Sequence, residues 1–99
     1  MTGAEIVAKS LADANVRRLS GIQGTPIDEI YSAAHSEGIE VMGFRHQMNA
    51  VVAAAVDNYS SGELAHVVVV SSGPAITNTL TGVYYAMEIH DILNFNSAI

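Results

Sequence analysis

The run Ala65 to Val70, AHVVVV, constrains this chain most, because it is short, rich in β-branched residues and apolar almost throughout. A strand with one wet face alternates apolar with polar side chains. A continuous apolar run belongs to a strand covered on both faces, the situation in a parallel sheet sandwiched by helices. Ile39 to Phe44 (IEVMGF) reads as a second strand, and Val16 to Ile22 as a weaker one, interrupted by Arg17, Arg18 and Ser20.

Helical patterns occupy the segments between them. Thr2 with Glu5 has the form of a capping box, followed by Ile6, Val7, Leu11 and Ala14 up to Asn15. Thr25 can cap a second helix, with Pro26 in its first turn, Asp28 and Glu29 at its positive end, and Ile27, Ile30, Tyr31 and Ala34 as an apolar stripe before Gly38. An alanine-rich helix is expected from Met48 to Tyr59, closed by Ser60-Ser61-Gly62. A long one is expected from Ala75 to Ile89, with Ile76, Leu80, Val83, Tyr84 and Met87 in register. Asp91 to Phe95 reads as the start of a fourth strand. The order α-β-α-β-α-β-α predicts an α/β fold: a three-layer αβα arrangement on a parallel sheet with right-handed crossovers. With 99 residues, 49% of them hydrophobic, residues 1–99 are expected to form one partial domain, with a fourth strand left unfinished.

Charge and composition narrow the partners. The formal net charge is −6, and Lys9, Arg17, Arg18 and Arg45 are the only permanent cations, so no basic stripe exists for nucleic acid. No stretch approaches the length of a membrane span and no signal peptide is expected, which points to a soluble intracellular protein, with neither cytoplasm nor peroxisome singled out as its compartment. There are no cysteines, and His35, His66 and His90 lack metal-ligand spacing. Met42, Met48 and Met87 are expected to fill core gaps.

In a parallel sheet every strand-to-helix turn lies on one edge, where open α/β folds bind ligands. The three turns are Gly21-Ile22-Gln23-Gly24-Thr25-Pro26, Arg45-His46-Gln47-Met48-Asn49-Ala50, and Ser71-Ser72-Gly73-Pro74-Ala75-Ile76-Thr77-Asn78. Taken alone, either glycine turn reads first as ordinary turn chemistry, and Arg45-His46 as a surface pair. An arginine at the start of a helix nevertheless opposes the helix dipole.

Taken in order, the turns resemble the N-terminal pyrimidine-binding domain of the thiamine-diphosphate-dependent enzyme superfamily. The similarity runs from Gly3 to about Met87. It comprises the opening Gly3-Ala4-Glu5-Ile6, a Phe-Gly-Ile-x-Gly-x-Pro-like turn at Ser20 to Pro26, an Arg-His-Glu-x-x-Ala-like segment at Arg45 to Ala50, and a Ser-Gly-Pro-Gly-x-x-Asn-like turn at Ser72 to Asn78. Gly24-Thr25-Pro26-Ile27 and Gly38-Ile39 look most like the 2-hydroxyacyl-CoA lyase and oxalyl-CoA decarboxylase branch, with acetolactate synthases in the wider group.

The resemblance implies thiamine diphosphate as cofactor, with Ile22, Gln47, Ser71, Pro74 and Asn78 on its aminopyrimidine side. It also implies magnesium, held only through a diphosphate domain that is missing here. In that family a glutamic acid after Arg-His exchanges a proton with the ring. Gln47 stands at that catalytic position and can hydrogen-bond but cannot act as acid or base near neutral pH. Ala75 replaces the second glycine of the last motif. The implied function is that of a cofactor-binding fragment of a carbon-carbon lyase or decarboxylase acting on 2-hydroxyacyl-CoA, oxalyl-CoA or 2-oxo acid substrates, inactive alone. The alternative is a non-catalytic interaction domain that pairs with a full-length relative or a separate diphosphate-domain subunit. The expected partners are accordingly a small-molecule cofactor, a second copy in a homo-oligomer or a diphosphate domain, and neither nucleic acid nor membrane. An ordinary dinucleotide-binding module fits worse, because Gly-x-Gly-x-x-Gly spacing is absent.

Overall fold

The computed structural model describes residues 1–25 and 27–98, with side chains through residue 89. Its elements in chain order are α1 (Gly3–Asp13), β1 (Arg18–Gly21), α2 (Asp28–Ser36), β2 (Glu40–Gly43), α3 (Gln47–Ser61), β3 (His66–Val69), α4 (Pro74–Thr77) and α5 (Leu80–Ala98). The three strands form a parallel sheet in the order β2-β1-β3. The chain steps from β1 to its neighbour β2 through α2, then crosses back over β1 to β3 through α3. With right-handed crossovers these two steps place their helices on opposite faces, which is the α/β three-layer arrangement expected.

Strand register decides what each face buries. Leu19 lies beside Val41 and Val67, and Gly21 beside Val69. These positions look toward α1 and α2, where Leu19 is fully buried with Ala8, Ile27, Tyr31, Ala34 and Ile39. One residue along, Ser20 pairs with Met42 and Val68 and turns to the face covered by α3. The polar interruptions of β1 are thereby explained. Ser20 is fully buried, and its hydroxyl pairs with His66 Nε2 across the sheet. His66 Nδ1 donates to Asp57 Oδ2 on α3 at 3.0 Å, and the same carboxylate oxygen accepts from Arg18 Nη1 at 3.0 Å. The strand that looks least strand-like is therefore the central one, its polar groups satisfied as a connected set. Asn58, next along α3, reaches the start of β3: its Oδ1 accepts from the backbone of Ala65 and His66 at 3.1 and 2.9 Å, and its Nδ2 donates to His66 O at 2.9 Å.

Several boundaries differ from the sequence expectation. Thr2 does cap α1, accepting from Glu5 N at 3.2 Å, but the Glu5 carboxylate receives the Thr2 hydroxyl rather than returning to the backbone. The inner face of α1 is Ala4, Ala8, Leu11 and Ala12, while Ile6 and Val7 face outward; small residues let α1 lie close to α2. Thr25 does not cap α2. The N-cap is Ile27, without a side-chain bond, because the Gly24 carbonyl already accepts from Ile27 N and Asp28 N at 2.9 and 3.1 Å. Pro26 lies outside the described residues.

The long helix expected from Ala75 is broken into α4 and α5. Thr77 Oγ1 donates to Pro74 O at 3.0 Å and Thr79 Oγ1 donates to Ile76 O, so hydroxyls compete for carbonyls that a continuous helix would use. Its buried side is also not the expected one. Ala75, Thr79 and Gly82 face inward, whereas Ile76, Leu80, Val83, Tyr84 and Met87 are exposed. A Cβ on Gly82 would lie 2.9 Å from Val51 Cβ and 3.0 Å from Met48 O, so α5 approaches α3 through its glycine, not its large side chains. Met87 accordingly fills no core gap, while Met42 and Met48 are half-buried. The fourth strand expected at residues 91–95 does not form, since α5 runs on to Ala98 with no glycine or proline after Gly82 to stop it. No described helix is long and apolar enough to cross a membrane.

Candidate functional site

The carboxyl ends of β1, β2 and β3 share one rim, and the turns that leave them touch. Phe44 N donates to Gly21 O at 2.9 Å, tying the start of the first turn to the residue that precedes the second. Gly24 approaches Ser71 so closely that a Cβ built on it would be 3.4 Å from Ser71 Cβ, which joins the first turn to the third. Gln47 Oε1 accepts from Asn78 Nδ2 at 3.3 Å, which joins the second to the third across 31 residues of sequence.

Each expected residue has a definite place here. Ile22 follows β1 and is half-buried. Gln47 is the first residue of α3, also half-buried. Ser71 is half-buried beside Gly24, Pro74 is exposed at the first position of α4 behind its N-cap Gly73, and Asn78 is exposed where α4 ends. All five belong to the one rim. Ala75 turns inward and is buried, so its methyl group contributes to the core and not to the rim surface.

Two rim residues were not singled out as such from the sequence. His46 is the N-cap of α3, its Nδ1 accepting from Met48 N at 3.0 Å, so His46 carries a structural role. A histidine directly before an apolar helical run was the available signal. Tyr31 was read only as part of an apolar stripe, yet its hydroxyl donates to Val69 O and lies 3.4 Å from Ile22 O, fastening α2 under the ends of β1 and β3. Buried tyrosines commonly place the hydroxyl in this way.

Burial, and secondarily the charge of Asp28, raises the Tyr31 pKa above 10.0. A group whose folded pKa lies above its unfolded one contributes stability that is complete below the unfolded value and is lost as pH rises through the folded one. Thermal melts should therefore fall above about pH 10. Tyr31→Phe should remove most of that alkaline decline while costing about 1 kcal/mol at neutral pH. An undiminished alkaline decline in Tyr31→Phe would show that another group is responsible.

The rim is an open ledge. Hollows of about 550 and 580 Å³ lie elsewhere, the first between α1 and α2 and the second at the opposite edge of the sheet around Arg17, Arg18 and Glu40. Among the described residues there is no group of three or more His, Asp or Glu side chains that could hold a metal ion. The donors on the ledge are amides, hydroxyls and backbone groups, which suit a neutral heteroaromatic ring and do not suit a magnesium ion.

The family model described as thiamine pyrophosphate enzyme, N-terminal TPP binding domain, matches residues 1–90. The 2-hydroxyacyl-CoA lyase 1 of Dictyostelium discoideum is 34% identical over 88 residues, covering 89% of this chain and 15% of the relative. The acetolactate synthase isozyme 3 large subunit of Escherichia coli (strain K12) is 39% identical over 84 residues, covering 84% and 14%. Acetolactate synthase of Bacillus subtilis (strain 168) is 36% identical over 84 residues, covering 85% and 15%. The chain thus spans about 15% of the length of the curated relatives it matches. It belongs to the family of thiamine pyrophosphate enzyme N-terminal TPP binding domains.

Proposed function

We propose that this chain supplies the aminopyrimidine side of a thiamine diphosphate site, and that a separate domain or subunit holds the diphosphate and its magnesium ion. The observation that carries the proposal is the meeting of the three turns at one rim, with the Gln47 and Asn78 amides in contact. Ile22 and Pro74 would offer apolar surface to the ring, and Ser71, Gln47 and Asn78 hydrogen bonds to its nitrogens and amino group. The bound cofactor supplies the chemistry of making or breaking a carbon-carbon bond next to a carbonyl. The chain's part is to bind and orient the ring. Gln47 holds a hydrogen bond but carries no acidic proton near neutral pH, which would slow proton exchange with the ring, and the chain alone is inactive because the diphosphate side of the site lies elsewhere. Substrates of the assembled enzyme would be 2-hydroxyacyl-CoA, oxalyl-CoA or 2-oxo acids, the class to which lyase or decarboxylase chemistry of this kind applies.

A second function is favoured by a different observation. The exposed stripe of Leu80 (50%), Tyr84 (66%) and Met87 (54%) on α5 suits docking, either to another copy in a homo-oligomer or to a larger relative or diphosphate-domain subunit, without catalysis.

Equilibrium dialysis separates the two. If the chain reads only the ring, thiamine and thiamine diphosphate should bind within about threefold of each other, and inorganic pyrophosphate should not compete. Displacement of the cofactor by pyrophosphate would refute the aminopyrimidine assignment. Binding of neither compound would leave the docking function in its place.

A further inference from the structure

We infer that His46 is a proton-operated latch on the rim: the neutral ring caps α3 and keeps its first turn in place, and the protonated ring lets that turn go. The inference concerns how the rim is held together and is independent of what the rim binds.

α3 begins with an unusual cap. His46 is exposed, its backbone is extended, and its ring Nδ1 accepts from Met48 N at 3.0 Å. The carbonyl of the same residue takes Asn49 N and Ala50 N at 3.1 and 3.4 Å, so the imidazole is left as the partner of Met48 N. Serine, threonine, asparagine and aspartate cap helices through an oxygen that accepts throughout the neutral range. An imidazole nitrogen accepts only while it is unprotonated. In the protonated ring Nδ1–H would be aimed at Met48 N–H, and two donors would face each other.

The surroundings give a positive ring nothing to hold it. α3 has 15 residues and no acidic residue in its first turn, so the charge would sit against the positive end of the helix dipole. Arg45 adjoins it as a like charge. The turns 21–25 and 71–78, which meet α3 here, carry no titratable side chain. Tyr31 under the ends of β1 and β3 carries no charge near neutral pH, and Glu40 is at the opposite end of β2. On α5 only Tyr84 and Tyr85 precede Glu88, which lies roughly 9 Å along the helix from the contact of Gly82 with Met48. Asp57, near the far end of α3, is engaged by Arg18 and His66. The other histidines with described side chains are placed differently: His35 is in the last turn of α2, where a positive charge suits the dipole, and His66 Nδ1 faces the Asp57 carboxylate at 3.0 Å.

The consequence reaches the rim through the next residue. Gln47 Oε1 holds Asn78 Nδ2 at 3.3 Å, so a loosened first turn of α3 loosens the bond between the second and third turns. The cap needs the unprotonated ring, so the rim is held above the pH range in which an imidazole titrates, ordinarily around 6.5, and is released as pH falls through it.

The test is an NMR titration of the full chain from about pH 8 to about pH 5, following the His46 ring together with the backbone and side-chain amides. The Met48 N–H and the Gln47 and Asn78 side-chain amides are expected to move with the midpoint of the His46 ring. Protection of Met48 N–H, taken relative to the free-chain exchange rate at each pH, should fall about fivefold, the fold-change of a typical cap. His46→Asn, whose amide oxygen caps at either pH, should keep Met48 protected and the rim amides still. His46→Ala should already show at the alkaline end the low protection that the parent chain reaches only in acid. A His46 ring that titrates while the Met48, Gln47 and Asn78 signals stay fixed would overturn the inference. An acid response that persists in His46→Asn would assign it to another histidine and overturn it equally, as would parental protection of Met48 in His46→Ala.

Discussion

Gly21→Ala is expected to destabilise the chain by about 3 kcal/mol or more, the largest loss from any single methyl group added to it. A Cβ at this position would fall well inside contact distance of the Val69 carbonyl oxygen and of the Tyr31 hydroxyl. The backbone there has φ 156°, a region costly for residues with a side chain. Two effects therefore act together. The backbone must leave its present dihedral or bear strain of about 1–3 kcal/mol, and the Tyr31 hydroxyl must give up its bond to Val69 O, worth about 1–3 kcal/mol once the buried carbonyl is left unpaired. A domain of this size has roughly 5–15 kcal/mol in total, so a large share of its stability is at stake. Urea denaturation gives the value directly. The double variant Gly21→Ala with Tyr31→Phe should recover part of the loss and not all, since the clash with the Val69 carbonyl remains. A midpoint within a few tenths molar of the parent for Gly21→Ala alone would mean that β1 and β3 can separate at this rim without cost.

Gln47→Glu is expected to change chemistry rather than stability. On the proposed function, position 47 faces the aminopyrimidine ring, and a carboxyl group there can both give and take a proton where an amide cannot. General acid-base catalysis by one placed group contributes about 10²- to 10⁴-fold. Asn78 Nδ2 would donate equally well to a carboxylate oxygen, so the new side chain should keep the present orientation. The measurement needs a complete site, made by grafting residues 1–90 onto the remainder of a relative, with deuterium exchange at the thiazolium carbon as readout. A gain of two to four orders of magnitude over the Gln47 chimera is expected. An unchanged exchange rate in a folded, cofactor-bound chimera would remove position 47 from the proton path.

The rim was legible in the sequence because topology, and not side-chain detail, determines it. Once the strands at Leu19, Val41 and Val67 are recognised as parallel, every following turn goes to the same edge, which brings Gln47 and the 71–78 turn to one rim. Side-chain burial was less legible. Ile76, Leu80, Tyr84 and Met87 recur in the sequence at a helical spacing as regular as any core face, but α5 packs through Gly82, with Thr79 buried just before it, because close backbone approach to α3 outweighs the size of the side chains left outside. Periodicity reports that a helix has a face; it does not say which of two adjoining faces is covered within this chain. The central position of β1 was hidden for a related reason. Ser20 stands where the matching motif has phenylalanine, and Arg18 looks like a surface residue, until His66 and Asp57, distant in sequence, are seen to satisfy both. Propensity sees one residue at a time, whereas a hydrogen-bonded set is visible only after folding.

The Asn58 side chain stands in for a missing strand neighbour. By binding the backbone of Ala65 and His66 it starts β3 at a fixed distance from α3. The exposed connection at residues 62–64 is left with lighter duties, Gly62 closing α3 in the left-handed region and Glu63 pairing with Arg17 at 3.1 Å. Lengthening it costs only the slow logarithmic growth of loop entropy. This makes the connection a natural place to insert a tag, a reporter or a second domain while the ledge at the far end of the sheet keeps its shape.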